Sequence, residues 1–424
     1  MRRSIAHYID TRSAAVGIDI KLSLVRLLNT ASMLRPVENL TAGLFVPRPS
    51  IEVVRICGFL FSNTSFWTKN RQQAYIIIGG VMAVIVSILA AVFLSVVAHQ
   101  ANAASAEDFY KGKTIRVVVG FAAGGGFDSY ARILARHMPK HTPGNPALIV
   151  DNMAGAGSRL AANYLYKASA PDGLTIGNFI GSLIMQQVLG DQSVEFDGRK
   201  FEWLGAPVTD ETACAVTTAS GVTNMDQWLA AKKPVKLGGE APGANDSDVP
   251  RILRAALGLP VQLIEGYKGT SNIRLAAESG EVDGGCWTWS SIRSTWKKGI
   301  ESGAVNVVLQ VNAKKAVDLP NVANAIDYAK TNEARQLIDA GVHATSAILR
   351  AYALPPGTPK DRLNVLRKSF MDTLKDPEFV AEIKKADLDL NPVTGAEVDA
   401  TVHKLFQLDS GTVMKLKEIL VPKK

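Results

Sequence analysis

Three cysteines occur in the whole chain, and beyond residue 103 only Cys214 and Cys286 remain. That excludes a disulfide-knot scaffold. No CxxC is present either, so a thiol-redox or cysteine-ligated zinc motif is excluded. The hydrolytic signatures GxSxG and HExxH are missing. So are GxxxxGK[ST] and GxGxxG, the phosphate and dinucleotide fingerprints. His137, His141, His343 and His403 are the histidines after residue 103. His137 and His141 stand four apart, but Pro139 lies between them and no further ligand accompanies them, so no metal is expected. The sequence implies no cofactor. It offers no nucleophile–base set, so no enzyme is expected.

Charge of one sign is scarce where it would matter. The chain has 47 Lys+Arg and 39 Asp+Glu. Residues 1–103 hold ten of the basic and four of the acidic residues, which leaves 37 basic and 35 acidic residues beyond them. The basicity therefore belongs to the N-terminus, and no nucleic-acid partner is expected. With 424 residues, 47% of them hydrophobic, the chain can bury a large core, and disorder is excluded.

One long stretch carries no charge. Between Gln72 and Gln100 there is no Lys, Arg, Asp or Glu, and Ala74–Ala98 is apolar enough to cross a bilayer. Lys69 and Arg71 precede it and Ala101-Asn102-Ala103 follows, a basic flank, apolar run and small-residue site of the secretory kind. Residues 72–103 are expected to be a signal peptide cut after Ala103, with an uncleaved membrane anchor as the alternative. Residues 1–71 are an extension, or lie ahead of the true start. Export permits a disulfide, but Cys214 and Cys286 stand 72 residues apart, and two small buried residues are the plainer reading.

The remainder alternates strands and helices. Lys113–Gly120 is a β-branched run, Phe121–Phe127 a Gly-rich turn, and Asp128 onwards has helical spacing with Asp128 placed as its cap. Ala147–Val150, Asp151–Gly157 and Ser158–Ala168 repeat strand, Gly loop and helix, and Leu174–Ile180 is a third strand. A second α/β stretch has helices at Val222–Ala231, Val249–Leu257 and Ser271–Ser279. Its strands are Val235–Gly238, Val261–Ile264, Val282–Trp287 and Val305–Val311. Helices return at Lys360–Leu374, Pro377–Ala386 and Ala396–Leu408. This alternation predicts α/β architecture with parallel sheets.

Two Gly loops stand at strand ends and open helices. Gly124-Gly125-Gly126 leaves free N–H groups at a positive helix end, where an anion can sit. Gly155-Ala156-Gly157 does the same after the next strand, and ligands of open α/β sheets bind beyond that rim. Gly266-Tyr267-Lys268-Gly269 and Gly239–Ala244 are the counterparts in the second stretch. Cys286 to Trp289 alternates at a strand end, so Trp287 and Trp289 should share one face.

These residues resemble the substrate-binding proteins of tripartite tricarboxylate transporters, the Bug-type periplasmic receptors, over about residues 110–410. Gly120-Phe121-Ala122-Ala123-Gly124-Gly125-Gly126-Phe127-Asp128 stands where the family has Pro-Phe-x-x-Gly-Gly-x-x-Asp. Asn152–Ser158 stands for Asn-x-x-Gly-Ala-Gly-Gly, and Pro171-Asp172-Gly173-Leu174-Thr175 is intact. Gly266–Gly269, Gly280-Glu281-Val282-Asp283 and Pro355–Pro359 complete the order.

The resemblance implies a periplasmic-binding-protein-like fold with two α/β domains, a ligand cleft between them and two crossover hinge segments. The implied division is 110–208 with 346–424 for one domain and 209–345 for the other. The implied function is a periplasmic receptor that captures a small organic carboxylate and delivers it to membrane permease subunits, as a monomer. A membrane-anchored ligand sensor on the same fold is the alternative. The resemblance carries ligand-binding roles to Phe121, Ala122, Gly124, Gly125, Gly126, Phe127 and Asp128. It extends them to Gly155, Ala156, Gly157, Ser158, Gly181 and Ser182. In the second domain it reaches Gly243, Tyr267, Lys268, Gly269, Asp283 and Trp287. Four positions depart from the family pattern. Phe127 replaces Thr, Gly120 replaces Pro, Ser158 replaces Gly and Gly266 replaces Pro. With the tryptophans, these imply an aromatic or less polar carboxylate.

Overall fold

The computed structural model describes residues 80–88 and 109–421. The expected cut after Ala103 and the extension over 1–71 lie outside the described residues. Contacts divide the chain into two units, Met1–Ala90 and Ala91–Lys424. In the first, residues 80–88 are helical and Val81, Met82, Val84, Ile85, Val86 and Ile88 are all exposed. Among the described residues no helix is long and apolar enough to cross a membrane.

The second unit is built on two sheets. β1 (Thr114–Val119) pairs in parallel with β2 (Ala147–Asn152) and β3 (Thr175–Asn178). Its Val117, Val118 and Val119 are fully buried, because β-branched side chains pack well on a sheet covered on both faces. α1 (Gly126–His137) and α2 (Arg159–Lys167) make the crossovers. After α3 (Leu183–Val188) comes β4 (Glu202–Ala206), at one side of the sheet.

The chain then crosses over. β5 (Thr212–Thr217), β6 (Val235–Gly239), β7 (Val261–Glu265), β8 (Gly284–Thr288) and β9 (Val305–Gln310) form the second sheet. α4 (Met225–Leu229), α5 (Asn245–Leu257), α6 (Thr270–Glu278) and α7 (Trp289–Glu301) connect them. After α8 (Asn332–Gly341) the chain returns to the first sheet as β10 (Tyr352–Leu354), inserted between β3 and β4. α9 (Lys360–Thr373), α10 (Pro377–Lys385), β11 (Val393–Thr394), α11 (Gly395–Leu405) and α12 (Ser410–Leu420) follow. α12 packs on α5 and α8, so the tail of the 346–424 stretch is not confined to the first sheet's layers.

The sheets are mixed, not parallel. β10 is antiparallel to β3 and β4, and β5 is antiparallel to β8 and β9. A strand that carries the chain from one sheet to the other enters from the opposite end, and β5 and β10 are those strands. Cys214 and Cys286 are register partners on β5 and β8, and they form a disulfide. The plainer reading of two unpaired buried cysteines is thereby corrected.

Candidate ligand-binding cleft

The first Gly loop of the first sheet and the strand ends of the second meet at one cleft. Phe121, Ala122, Gly125, Gly126, Phe127 and Ile180 line it from the first sheet's side. Glu240, Asn245, Asp246, Thr270, Trp287, Thr288 and Ser291 line it from the second. The two sides touch. Ala122 N donates to Lys268 O at 2.9 Å, and Ser182 Oγ to Gly243 O at 2.6 Å. Ser271 Oγ donates to Ala123 O at 3.2 Å, and Gln186 Nε2 to Asp248 Oδ2 at 3.1 Å. The cleft is closed.

α1 begins one turn earlier than its spacing indicates. Its N-cap is Gly125, and Asp128 lies in the first turn instead of capping. Asp128 is nevertheless tied to the loop. Its Oδ2 accepts from Gly124 N at 2.9 Å and from Arg132 Nε at 2.8 Å, while Oδ1 accepts from Asn152 Nδ2 at 3.0 Å. Burial alone would raise its pKa, but Arg132 and the Gly124 N–H outweigh that and lower it. Asn152 also donates to Phe121 O, so the two Gly loops are pinned to each other. Phe121 and Phe127 pack with centroids 4.4 Å apart and give the cleft an aromatic wall.

Gly126 is where the backbone of α1 comes closest to the other side. A Cβ there would lie 1.7 Å from Ser291 Oγ and 2.7 Å from its Cβ, on α7. Only glycine permits this approach. At Gly120 a Cβ would fall 2.3 Å from Ser158 Cβ. Ser158 is left-handed at φ +64°, fully buried, and its Oγ accepts from Ile180 N at 3.0 Å. So two of the departures from the family pattern are one change: the side chain present at 158 fills the space that a residue other than glycine would need at 120.

The remaining expected residues divide. Gly157 packs against Ala244 across the seam, and Gly243 against Leu183 and Gln186. Gly181 faces the Ile348 carbonyl, and Gly269 faces Ala122. Gly155 and Ala156 hold the positive φ values of +146° and +50° that turn the second loop. These residues shape the seam without lining the cleft. Lys268 meets the first sheet's side through its backbone, and its side chain is exposed. The Tyr267 hydroxyl donates to Glu281. Asp283 precedes β8, at the far end from Trp287, and accepts from Lys236 N. It is not brought to the cleft. Trp289 opens α7 instead of continuing β8, and its Nε1 donates to Asp318. Trp287 stacks on Trp296 at 5.7 Å, and its Nε1 has no partner.

The sequence reading missed the charged groups. Arg350 is fully buried on the returning crossover and pairs with Asp210 on the outgoing one at 3.0 Å. It also donates to Thr288 and Ser291, and its guanidinium lies over Phe127 and Tyr130 at 4.5 and 4.6 Å. Glu240 and Asp246 face the cleft beside each other, 6% and 3% exposed. Nothing in a Gly/Pro-rich loop signals that its carboxylates will be buried.

His137 and His141 lie far from this cleft and meet carboxylates, His137 Nε2 at 2.7 Å from Glu382 and His141 Nε2 at 2.7 Å from Asp376. His137, Asp376 and Glu378 could bring ligand atoms together. The Lys140 ammonium, 2.9 Å from Asp376 and 2.5 Å from Glu378, already occupies the place of a cation there.

Asp248 gives a pH prediction. Burial pushes its pKa up to about 7, against the Gly243 N–H, Arg251 and Gln186, which favour the anion. A buried acid with a raised pKa stabilises the fold least when ionised, so its contribution is lost as pH rises from about 4 to about 7. Asp248→Asn keeps an acceptor for Gly243 N, and Gln186 can turn its unpartnered Oε1 to the new amide. The variant should melt several degrees higher than the parent at pH 8 and nearly level with it at pH 4. Melting curves at both values check this; an equal difference at both contradicts it.

Residues 130–417 match the family model described as "Tripartite tricarboxylate transporter family receptor". A curated protein of Cupriavidus necator is 25% identical over 306 residues, which cover 71% of this chain and 85% of that one. The solved structure of the periplasmic binding protein BugD is similar with TM-score 0.61 at 22% identity, covering 74% of this chain and 100% of the other. MatC from Rhodopseudomonas palustris, solved with bound malate, has TM-score 0.56 at 16% identity over 73% of this chain and 99% of its own. At these identities the structural likenesses speak for the fold, two α/β lobes about a cleft. The match along the sequence settles descent, and the chain belongs to the receptor family of the tripartite tricarboxylate transporters.

Proposed function

We propose that this receptor captures an organic carboxylate in the closed cleft, in the periplasm, and hands it to permease subunits of a tripartite transporter. The carrying observation is the N-terminus of α1 at the cleft wall, where Gly125 and Gly126 bring backbone N–H groups and the positive helix end to the cleft. The Trp287 Nε1 donor, 2% exposed and unpartnered on the opposite wall, supports the same polarity. Phe121 and Phe127 suit an apolar body on the ligand. MatC, with its bound malate, is a relative in fold whose ligand is of this chemical class.

In this reading the lobes are 110–208 with 346–424, and 209–345, hinged at the two crossovers, and the protein acts as a monomer. It binds its ligand and does no chemistry. Export by a signal peptide over 72–103 agrees with the Cys214–Cys286 disulfide, which belongs in an oxidising compartment.

A thermal-shift screen of the full-length protein against mono-, di- and tricarboxylates tests this. A ligand at a hundred times its dissociation constant adds about 2.7 kcal/mol, several degrees in melting temperature. A folded protein that no carboxylate shifts would contradict the reading. Gly126→Ala should reduce affinity for the active carboxylate about tenfold or more, because the added methyl pushes α7 away and overpacking of this kind costs about 1–3 kcal/mol. Unchanged affinity would remove α1 from the site.

A further inference from the structure

We propose that the ligand carries an ammonium group besides its carboxylate, and that Glu240 and Asp246 form the subsite that receives it. The inference rests on the cleft being the ligand site, and it deepens that reading by naming the ligand's second functional group.

Glu240 follows β6 and Asp246 lies in the first turn of α5; both line the cleft opposite the Gly loop. Asp246 Oδ1 accepts from Glu240 N at 3.0 Å, which fixes the two residues side by side. Both are more than nine-tenths buried. Glu240 Oε1 has no hydrogen-bond partner among the described residues. Among the described residues no cation pairs with either carboxyl. Arg251, further along α5, turns to Asp248 and Glu265 instead. The charges that raise their pKa values are carboxylates, Asp246 acting on Glu240 and Glu265 acting on Asp246.

Two adjacent buried carboxyls do not both ionise. Burial raises both pKa values: Asp246 to about 6, with the Glu265 carboxylate adding to it while Glu240 donates to Asp246 and holds it down, and Glu240 well above its usual range, with the Asp246 charge adding to it. Near neutral pH the pair therefore holds one proton and one negative charge. The shared proton leaves the pair with acceptor capacity and one net charge at the cleft wall, and Glu240 Oε1 has no partner to use it. An unpaired buried acceptor is costly, and an uncompensated buried charge more so. A hydroxyl or amide on the ligand would satisfy the acceptor alone. An ammonium satisfies the acceptor and the charge together, whereas a second carboxylate would meet both as repulsion. The cleft is thus polarised, with N–H donors at α1 and an anion at the end of β6, which matches an amino-substituted carboxylic acid.

Calorimetric titration of the full-length protein, purified in a mild detergent, against matched pairs tests this. The pairs are aspartate with succinate, glutamate with glutarate, and 4-aminobutyrate with butyrate. The expected result is an amino member that binds about tenfold or more tightly than its amine-free partner, the range of a charge-assisted hydrogen bond. Glu240→Gln keeps the acceptor, the hydrogen bond to Asp246 and the single negative charge, so the preference should persist. Glu240→Gln combined with Asp246→Asn removes the charge in a near-isosteric pair, and the preference should fall to about threefold or less while the melting temperature holds. Amine-free acids that bind as well as their amino partners would overturn the inference and leave the carboxylate-receptor reading standing. So would a preference that survives in the double variant. Binding by neither series would remove both readings.

Discussion

Asp210→Ala should destabilise the protein by about 3–5 kcal/mol, because it leaves the Arg350 guanidinium buried without its counter-charge. The pair joins the two crossovers. Asp210 lies between β4 and β5, its backbone N–H donates to Ser346 O at 3.1 Å, and Arg350 lies just ahead of β10, with Ala351 between them. Asp210 accepts from Arg350 Nε at 3.0 Å, from its second nitrogen at 3.2 Å, and from Ser290 Oγ. Among the described residues nothing else pairs with the guanidinium, since Thr288 and Ser291 supply only hydroxyls. Taking both charges away is a different change from taking one. Arg350→Met with Asp210→Leu should recover most of the lost stability, because buried ion pairs often do no better than apolar residues of similar volume. Denaturant unfolding of the two variants separates the cases. If the single substitution is as mild as the double, the guanidinium is not confined as described.

The same pair shows where the sequence stops being informative. β1 and β2 announce themselves as short β-branched or apolar runs ahead of Gly loops, the helices after them have a clear apolar spacing, and β3 is legible as a strand after a turn. Those elements carry Phe121, Gly125, Gly126 and Phe127 to the cleft, so half of its wall could be read without coordinates. Arg350 and Asp210 are 140 residues apart in stretches with no period at all, and their meeting depends on where two crossovers pass. β4 and β5 (EWLGA and TACAVT) are too small and mixed to stand out, and without β5 no register can place Cys214 opposite Cys286. Glu240 was hidden differently. It sits in a loop composed like solvated surface, and only the fold of α5 over β6 excludes water from it. Trp289 misled because strict alternation over Cys286–Trp289 looks like strand, while Thr288 in fact caps α7.

Removing the disulfide should cost about 4 kcal/mol if its effect lies in the unfolded chain, where a bridge across 72 residues suppresses loop entropy to roughly that extent. Cys214→Ala with Cys286→Ala tests this without leaving a free thiol. The folded side should change little. Cys214 and Cys286 lie opposite each other on paired strands, both are fully buried, and the β5–β8 ladder runs from Thr212↔Thr288 to Val216↔Gly284 without them. β5 also remains held by β9 on its other side. The variant should therefore keep its ligand and its secondary structure while melting well below the parent, and the parent treated with a reductant should melt close to the variant. The position of the bridge gives the result a second meaning. It ties the strand that leaves the crossover at Thr212 to the strand that presents Trp287 and Thr288 to the cleft. If ligand affinity falls together with stability, the bridge also fixes the cleft wall against the crossover, and β9 alone is not enough to hold it.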